Sequence, residues 1–145
     1  MSDAQRPDLA AMFVPLGRAL SAAELPVLER HDLTMWGYVV LLGLGDEPVY
    51  TQAALAKKIR ADKTRIIGTL DELQQRGLIR RDPDPADRRA RLISLTPTGR
   101  TTRDRAQREI QEQENQLLAT LPADDRKAFL RSLRTLWESV VEQPS

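Results

Sequence analysis

The chain has 145 residues, of which 41% are apolar and 30% charged, and a net charge of +1; this suffices for one domain or two small interpenetrating ones. It contains no cysteine, which excludes disulfides, thiolate metal sites and thiol redox sensing and suits a cytoplasmic protein. No uninterrupted apolar run of about 18 residues offers a membrane span, and MSDAQRPDL lacks the basic start and apolar stretch of a secretory signal, so no membrane partner is expected.

From Leu9 to Val27 the apolar spacing is helical, with Met12, Phe13, Leu16 and Leu20 along one side. Pro15 and Pro26 predict a kink or a break there. Arg30 to Asp32 form a short connection. The nearly all-apolar LTMWGYVVLLGL, Leu33 to Leu44, suits a buried helix that Gly45 and Pro48 end. Val49 and Tyr50 allow no more than a mini-strand. Thr51 caps a short helix to about Ile59, with Leu55 and Ile59 on one face. Arg60 and Ala61 make a tight link. Asp62 caps a second helix that carries Ile66, Ile67, Leu70 and Leu73 inward and ends at Gly77.

LIRR, a loop with Pro83 and Pro85, and RLISL predict a β-hairpin with a long tip. Thr96 followed by Pro97 starts a helix to about Ala119. Its first half is polar all round, as in a helix that bridges two bodies. Pro122, Asp124 and Asp125 open a last helix, striped by Phe129, Leu133, Leu136 and Val140 and widened by Leu130, Trp137 and Val141. The fold class expected is mainly α with a small β-hairpin wing: a winged helix-turn-helix lobe at 33–96, with helical dimerisation regions at 1–32 and 97–145. A stripe that wide exceeds what so small a lobe can cover, which marks an interface with a second copy.

Helix, tight turn, helix and hairpin form a reading head in which the first helix braces the second against the major groove of double-stranded DNA. Charge agrees with this. Between Lys57 and Arg91 there are eleven Lys or Arg against six Asp or Glu, a basic segment in an otherwise acidic chain, as phosphate contact requires. Lys63, Thr64, Arg65, Gly68 and Thr69 are the outward positions of the second helix. Lys and Arg donate to guanine edges or phosphates, Thr meets a thymine methyl or a phosphate, and Gly68 permits close approach. Asp87, Arg88, Arg89 and Arg91 sit at the hairpin tip, where arginine suits a narrow minor groove. A bidentate pair from Asp87 is expected to hold the Arg89 guanidinium.

DRRARLISLTPTG, Asp87 to Gly99, resembles the signature of the MarR family at Asp87, Arg89, Leu95, Thr96 and Gly99. LDELQQRGLIRRDPDPADRR is similar to that family's recognition helix and wing, and Leu33–Thr34 to the opening of its second helix. The family's aromatic falls at Tyr38, and Trp36 is an addition without a counterpart. The resemblance implies a two-fold dimer held by the first and last two helices, with Arg89 in the minor groove, oriented by Asp87, and the helix from Asp62 in the major groove. It also implies a small aromatic or anionic effector between dimer base and lobe. Candidate liners are Met12, Phe13, Leu16, His31, Trp36 and Tyr38, all of which also suit ordinary packing.

One histidine and no cysteine leave no nucleophile–base set and no His-Cys zinc cluster, and no glycine-rich phosphate loop occurs. No enzyme, metal or cofactor is expected. The function implied is a homodimeric regulator, a repressor, acting on a pseudo-palindromic operator. The alternatives are a non-specific or architectural DNA binder, which the charge alone supports, and an interaction module that kept only the fold.

Overall fold

The computed structural model describes residues 5–46 and 50–141, without the side chains of Tyr50 and Lys63; Pro48 and Val49 lie outside the described residues. Its elements are α1 (Leu9–Arg30), α2 (Met35–Leu44), β1 (Tyr50–Thr51), α3 (Gln52–Lys58), α4 (Lys63–Gln75), β2 (Ile79–Asp84), β3 (Asp87–Leu95), α5 (Pro97–Leu118) and α6 (Ala123–Val141). The strands form one antiparallel sheet in the order β1-β3-β2. This is the mainly helical winged helix-turn-helix that the sequence implies. The chain divides into two compact units within α5, one up to Ile110 and one from Gln111 onward.

Short polar residues start the helices as expected. Thr51 Oγ1 accepts the Ala54 N–H at 3.1 Å, Asp62 Oδ1 the Thr64 N–H at 3.2 Å, and Thr96 Oγ1 the Gly99 N–H at 2.9 Å. Thr34 does the same for α2, from Gly37 at 2.9 Å. Three helices end in one hydrogen-bond pattern. Leu33 N–H reaches Leu28 O, Ala61 reaches Ala56 O and Leu78 reaches Leu73 O, each over a residue with positive φ. Those residues are Asp32 (φ 54), Arg60 (φ 57) and Gly77 (φ 71). The turn between α3 and α4 is thus closed at Arg60, without a glycine.

The core lies in the first unit. Val27 and Leu28 of α1, Val40, Leu41 and Leu44 of α2, and Leu55 of α3 meet Ile66, Leu70 and Leu73 of α4. Ile79 and Ile93 close it from the sheet, and Ala106 and Ile110 from α5. In the second unit α6 has no fully buried residue, and Leu136, Trp137 and Val140 are 54%, 60% and 60% exposed.

Four expectations change. First, α1 is unbroken through Pro15 and Pro26, because each proline deletes one donor from a ladder rich in Ala and Leu, strong helix formers. Second, an 18-residue window of α1 averages a hydropathy of 1.3, long and apolar enough by composition to cross a membrane although no uninterrupted apolar run exists; Arg18 and Glu24 are the only charges between Leu9 and Leu28. Third, Ile67 is 45% exposed. Ile66, Leu70 and Leu73 share one helix face, and Ile67 lies about 100° from Ile66 on a helix of 3.6 residues per turn. Fourth, the hairpin tip is short. The strands continue to Asp84 and Asp87, leaving a two-residue turn at Pro85–Ala86. Asp84 Oδ1 accepts the Ala86 N–H at 2.9 Å, a side-chain closure of the turn. Pro83 is tolerated because β2 is an edge strand.

Gly99 has a definite steric reason. A Cβ there would stand 1.8 Å from the Leu78 carbonyl oxygen and 2.8 Å from its carbon. Gly99→Ala must therefore push the start of α5 off the root of the wing. We expect a loss of about 3 kcal/mol or more, read by urea denaturation; a midpoint equal to the parent's would refute this packing.

Candidate nucleic-acid interface

Burying Ile66, Leu70 and Leu73 turns the opposite face of α4 to solvent. Thr64, Arg65, Ile67 and Gly68 are exposed there, and Thr69 is half-buried. Lys63 opens the helix, but its side chain lies outside the described residues. An added Cβ at Gly68 would meet nothing within 4 Å, so its smallness answers to no internal packing and leaves the surface open to close approach. Ile67 joins the outward set that polarity alone had missed. The signal for it was the four-residue spacing from Lys63, which puts both on one face. An exposed isoleucine there can pack on a thymine methyl.

The wing tip carries Asp87, Arg88, Arg89 and Arg91, all exposed. Asp87 does not pair with the Arg89 guanidinium. Its Oδ1 accepts the Arg89 backbone N–H at 3.0 Å, a local two-residue closure of the kind aspartate makes with its own backbone. Asp87 thus shapes the strand that bears Arg89. Among the described residues, Arg88, Arg89 and Arg91 make no ion pair.

Wing and recognition helix are tied together by Arg81. Its Nη2 lies 2.5 Å from Asp71 Oδ1, and its Nε donates to Gln74 Oε1. Arg81 and Arg91, with Gln52 and Gln74, line a polar cleft of about 450 Å³ between the sheet and the two helices. Arg91 shares its β3 face with buried Ile93, so its exposed side chain lies over this cleft.

The six candidate effector residues are dispersed. Met12, Phe13 and Leu16 lie on α1, 42%, 42% and 37% exposed. Tyr38 is buried in the core. The Trp36 ring lies under the Arg65 guanidinium, 5.5 Å from centroid to Cζ. His31 Nε2 lies 3.0 Å from Glu109 Oε1 of α5, and Arg30 Nη2 lies 2.9 Å from the other oxygen. Arg76, which caps α4, donates to the carbonyls of His31 and Asp32. The connection between α1 and α2 therefore touches both α5 and the end of the recognition helix.

A second charged anchor sits at the end of α2. Arg103 of α5 is 9% exposed; its Nη2 reaches Asp46 at 2.9 Å and its Nε reaches Asp104 at 2.9 Å. The Arg103 hydrogen bond and charge hold the Asp46 carboxyl below its ordinary range, against a smaller opposing effect of burial. Hydrogen bonds from Arg30 and then His31 lower Glu109 in the same way.

The MarR family model matches residues 33–90, the span from α2 into the wing. Transcriptional regulator HosA of Escherichia coli O111:H- is 30% identical over 108 residues, 74% of this chain and 80% of that one. The chain belongs to the MarR family. The transcriptional repressor NicR of Pseudomonas putida is 34% identical over 111 residues, 74% of this chain and 68% of that one. A putative transcriptional regulatory protein for the hcr operon of Thauera aromatica is 29% identical, and the chain spans 65% of its length. Among solved structures, a MarR-family regulator from Rhodococcus sp. RHA1 has a TM-score of 0.81 at 26% identity over 97% of both chains. This MarR-family chain is accordingly a transcriptional regulator and not an enzyme.

The family's wing signature has a physical content in this member. Asp87 closes the strand locally, and Leu95 packs against the core. Thr96 caps α5 and donates to the Gly77 carbonyl at 2.6 Å, and Gly99 clears the Leu78 carbonyl.

Both lowered carboxyls give a sign for pH. A carboxylate whose folded pKa lies below its unfolded one contributes stability that is complete above the unfolded value, about 4, and is lost as pH falls through the folded value. Denaturation between about pH 6 and pH 2.5 should show stability falling on the acid side. Glu109→Gln and Asp46→Asn should each flatten that limb. Acid slopes unchanged in both variants would mean that these pairs do not form in solution.

Proposed function

We propose that this MarR-family chain works as a homodimeric, sequence-specific repressor on a pseudo-palindromic operator, in the cytoplasm, released by a small aromatic or anionic effector. The observation that carries the reading is the outward face of α4 beside a wing on which Arg88, Arg89 and Arg91 have no carboxylate partners among the described residues. Lys63, Thr64, Arg65, Gly68 and Thr69, with Ile67 added, read the major groove; Arg89 and Arg88 enter the minor groove, and Arg91 takes a phosphate. A shared fold supports DNA as the partner: a MepR variant from Staphylococcus aureus, TM-score 0.62 at 21% identity, is solved bound to an oligodeoxyribonucleotide.

The dimer rests on apolar exposure. Leu9, Met12, Phe13 and Val14 of α1 are 42–53% exposed, and α6 presents Leu130, Leu136, Trp137 and Val140 at 46–60%. Apolar patches this extensive mark an interface. A second copy fits α1 better than a bilayer does, since a regulator has to reach DNA. Two heads about a two-fold axis then meet half-sites about one helical turn, ~34–36 Å, apart. The NicR relative, named a repressor, supports the sign of regulation.

The test is a titration of a duplex selected from random sequence by the parent protein. Light scattering should give two chains per duplex, and random DNA at the same salt should bind at least about a thousand-fold more weakly. Arg89→Ala should lower affinity about ten-fold or more with an unchanged melting temperature, and Lys63→Ala should reduce the salt slope by about one per subunit. Monomeric binding, or parental affinity in Arg89→Ala, would overturn the assignment. Equal affinity for random DNA would instead make the chain an architectural binder.

The effector rests on ligands held by two proteins of this fold. CouR of Rhodococcus jostii RHA1, 23% identical with a TM-score of 0.80, is solved with p-coumaroyl-CoA. NadR, 17% identical with a TM-score of 0.78, is solved with 4-hydroxyphenylacetate. Both ligands contain a phenol ring. Phenolic acids should raise the melting temperature with increasing concentration and weaken DNA binding in parallel. A panel that produces neither effect would remove this part of the reading.

A further inference from the structure

Trp36 was the aromatic without a counterpart in the family pattern, and its place in the structure gives it a task. It lies half-buried in α2, and Arg65 in the first turn of α4 stands over its ring at 5.5 Å, inside the ~6 Å over which a guanidinium is attracted to an indole face. We infer that Trp36 is a positioning residue for DNA recognition: its ring holds the Arg65 guanidinium ready for a phosphate or a guanine edge. This inference rests on the proposal that α4 enters the major groove.

The argument lies in what the other restrained arginines lose. Arg81 has two of its nitrogens engaged by Asp71 and Gln74. Arg103 is engaged by Asp46 and Asp104, and Arg30 by Glu109. A carboxylate that fixes an arginine also cancels its charge and occupies its N–H donors. An aromatic face fixes the same group through its π surface and leaves all five donors, which lie in the guanidinium plane, available at the edge. Among the described residues, Arg65 meets no carboxylate. It is therefore restrained and still fully able to donate. The restraint lowers the rotamer entropy lost when the side chain meets DNA, a cost near that of other long side chains.

Binding to the selected duplex, measured by anisotropy at fixed salt, gives the test. Trp36→Leu keeps an apolar side chain and removes the π face, while Trp36→Phe keeps a ring. Sparing part of that ordering cost is worth about three-fold per head, hence about ten-fold in a two-headed complex. We expect Trp36→Leu to weaken binding by that factor, with Trp36→Phe recovering most of it at an unchanged melting temperature. In an Arg65→Ala background, Trp36→Leu should add no further loss. A Trp36→Leu protein that binds like the parent overturns the inference, and so does a loss that adds fully to that of Arg65→Ala, since packing alone would then explain it. Parental affinity in Arg65→Ala and Lys63→Ala together would instead remove the recognition-helix reading beneath it.

Discussion

The Leu78 carbonyl occupies the space where a side chain on residue 99 would begin, and the reading elements hang from that contact. The recognition helix stops at Gly77, whose positive φ turns the chain directly into β2. The returning strand ends at Leu95, and Thr96 donates back to the Gly77 carbonyl while its N–H reaches Leu78 O at 3.1 Å. Helix α4, both wing strands and the first turn of α5 are thereby joined within a few residues. The Arg81–Asp71 pair repeats the tie one step along the wing. A displacement of the α5 start therefore carries helix and wing together, which would keep the spacing between the two proposed DNA contacts fixed. Fixed spacing is what two adjacent grooves demand.

Arginine is used here in two opposed ways, and the surrounding groups separate them. Arg103, Arg81, Arg30 and Arg76 are engaged by carboxylates, an amide oxygen or backbone carbonyls, and each joins two elements of the first unit. The charges of Arg103, Arg81 and Arg30 are largely neutralised locally, whereas Arg76, bound to carbonyls, is held without being neutralised. Among the described residues, Arg88, Arg89 and Arg91 have no such partner, so unpaired positive charge collects along the wing. The net charge of +1 hides this division. A chain of near-neutral total charge can still address a polyanion if its acidic groups are spent on internal pairs away from the contact face.

The sequence made the fold legible where one rule acted alone. Caps at Thr51, Asp62 and Thr96, the break at Gly77 and the apolar face of Ile66, Leu70 and Leu73 all follow from local chemistry. The links at Arg30–Asp32 and Arg60–Ala61 were legible too, but not that Asp32 and Arg60 close them in the left-handed conformation that usually signals glycine. The hairpin tip looked long because Pro83 and Pro85 read as loop, yet an edge strand needs no N–H at Pro83, and Asp84 closes the turn. Ile67 was misplaced inward because its chemistry outweighed its angle. The exposure of Thr64, Arg65 and Gly68 on α4 and of Asp87, Arg88, Arg89 and Arg91 on the wing followed from type and spacing. The pairings of Arg65 with Trp36, Arg81 with Asp71 and Gln74, and Arg103 with Asp46 did not, since each joins residues outside a single element, and no local pattern encodes such pairs.

The two exposed apolar helices make different demands on a partner. On α6 the apolar residues recur as a stripe from Phe129 through Leu133, Leu136 and Val140, widened by Leu130 and Trp137, with charges such as Arg131 and Arg134 beside it. A stripe is satisfied by one flat neighbour. On α1, Met12, Phe13 and Val14 are consecutive, with Leu9 and Leu16 around them, so apolar surface points in several directions. A helix apolar on most sides needs cover on most sides. The proposed second copy must therefore wrap α1 rather than abut it, so that the N-terminal helices of the two chains become part of a shared core. Such an interface leaves little reason for a stable folded monomer, and the stability of this regulator should then depend on its concentration.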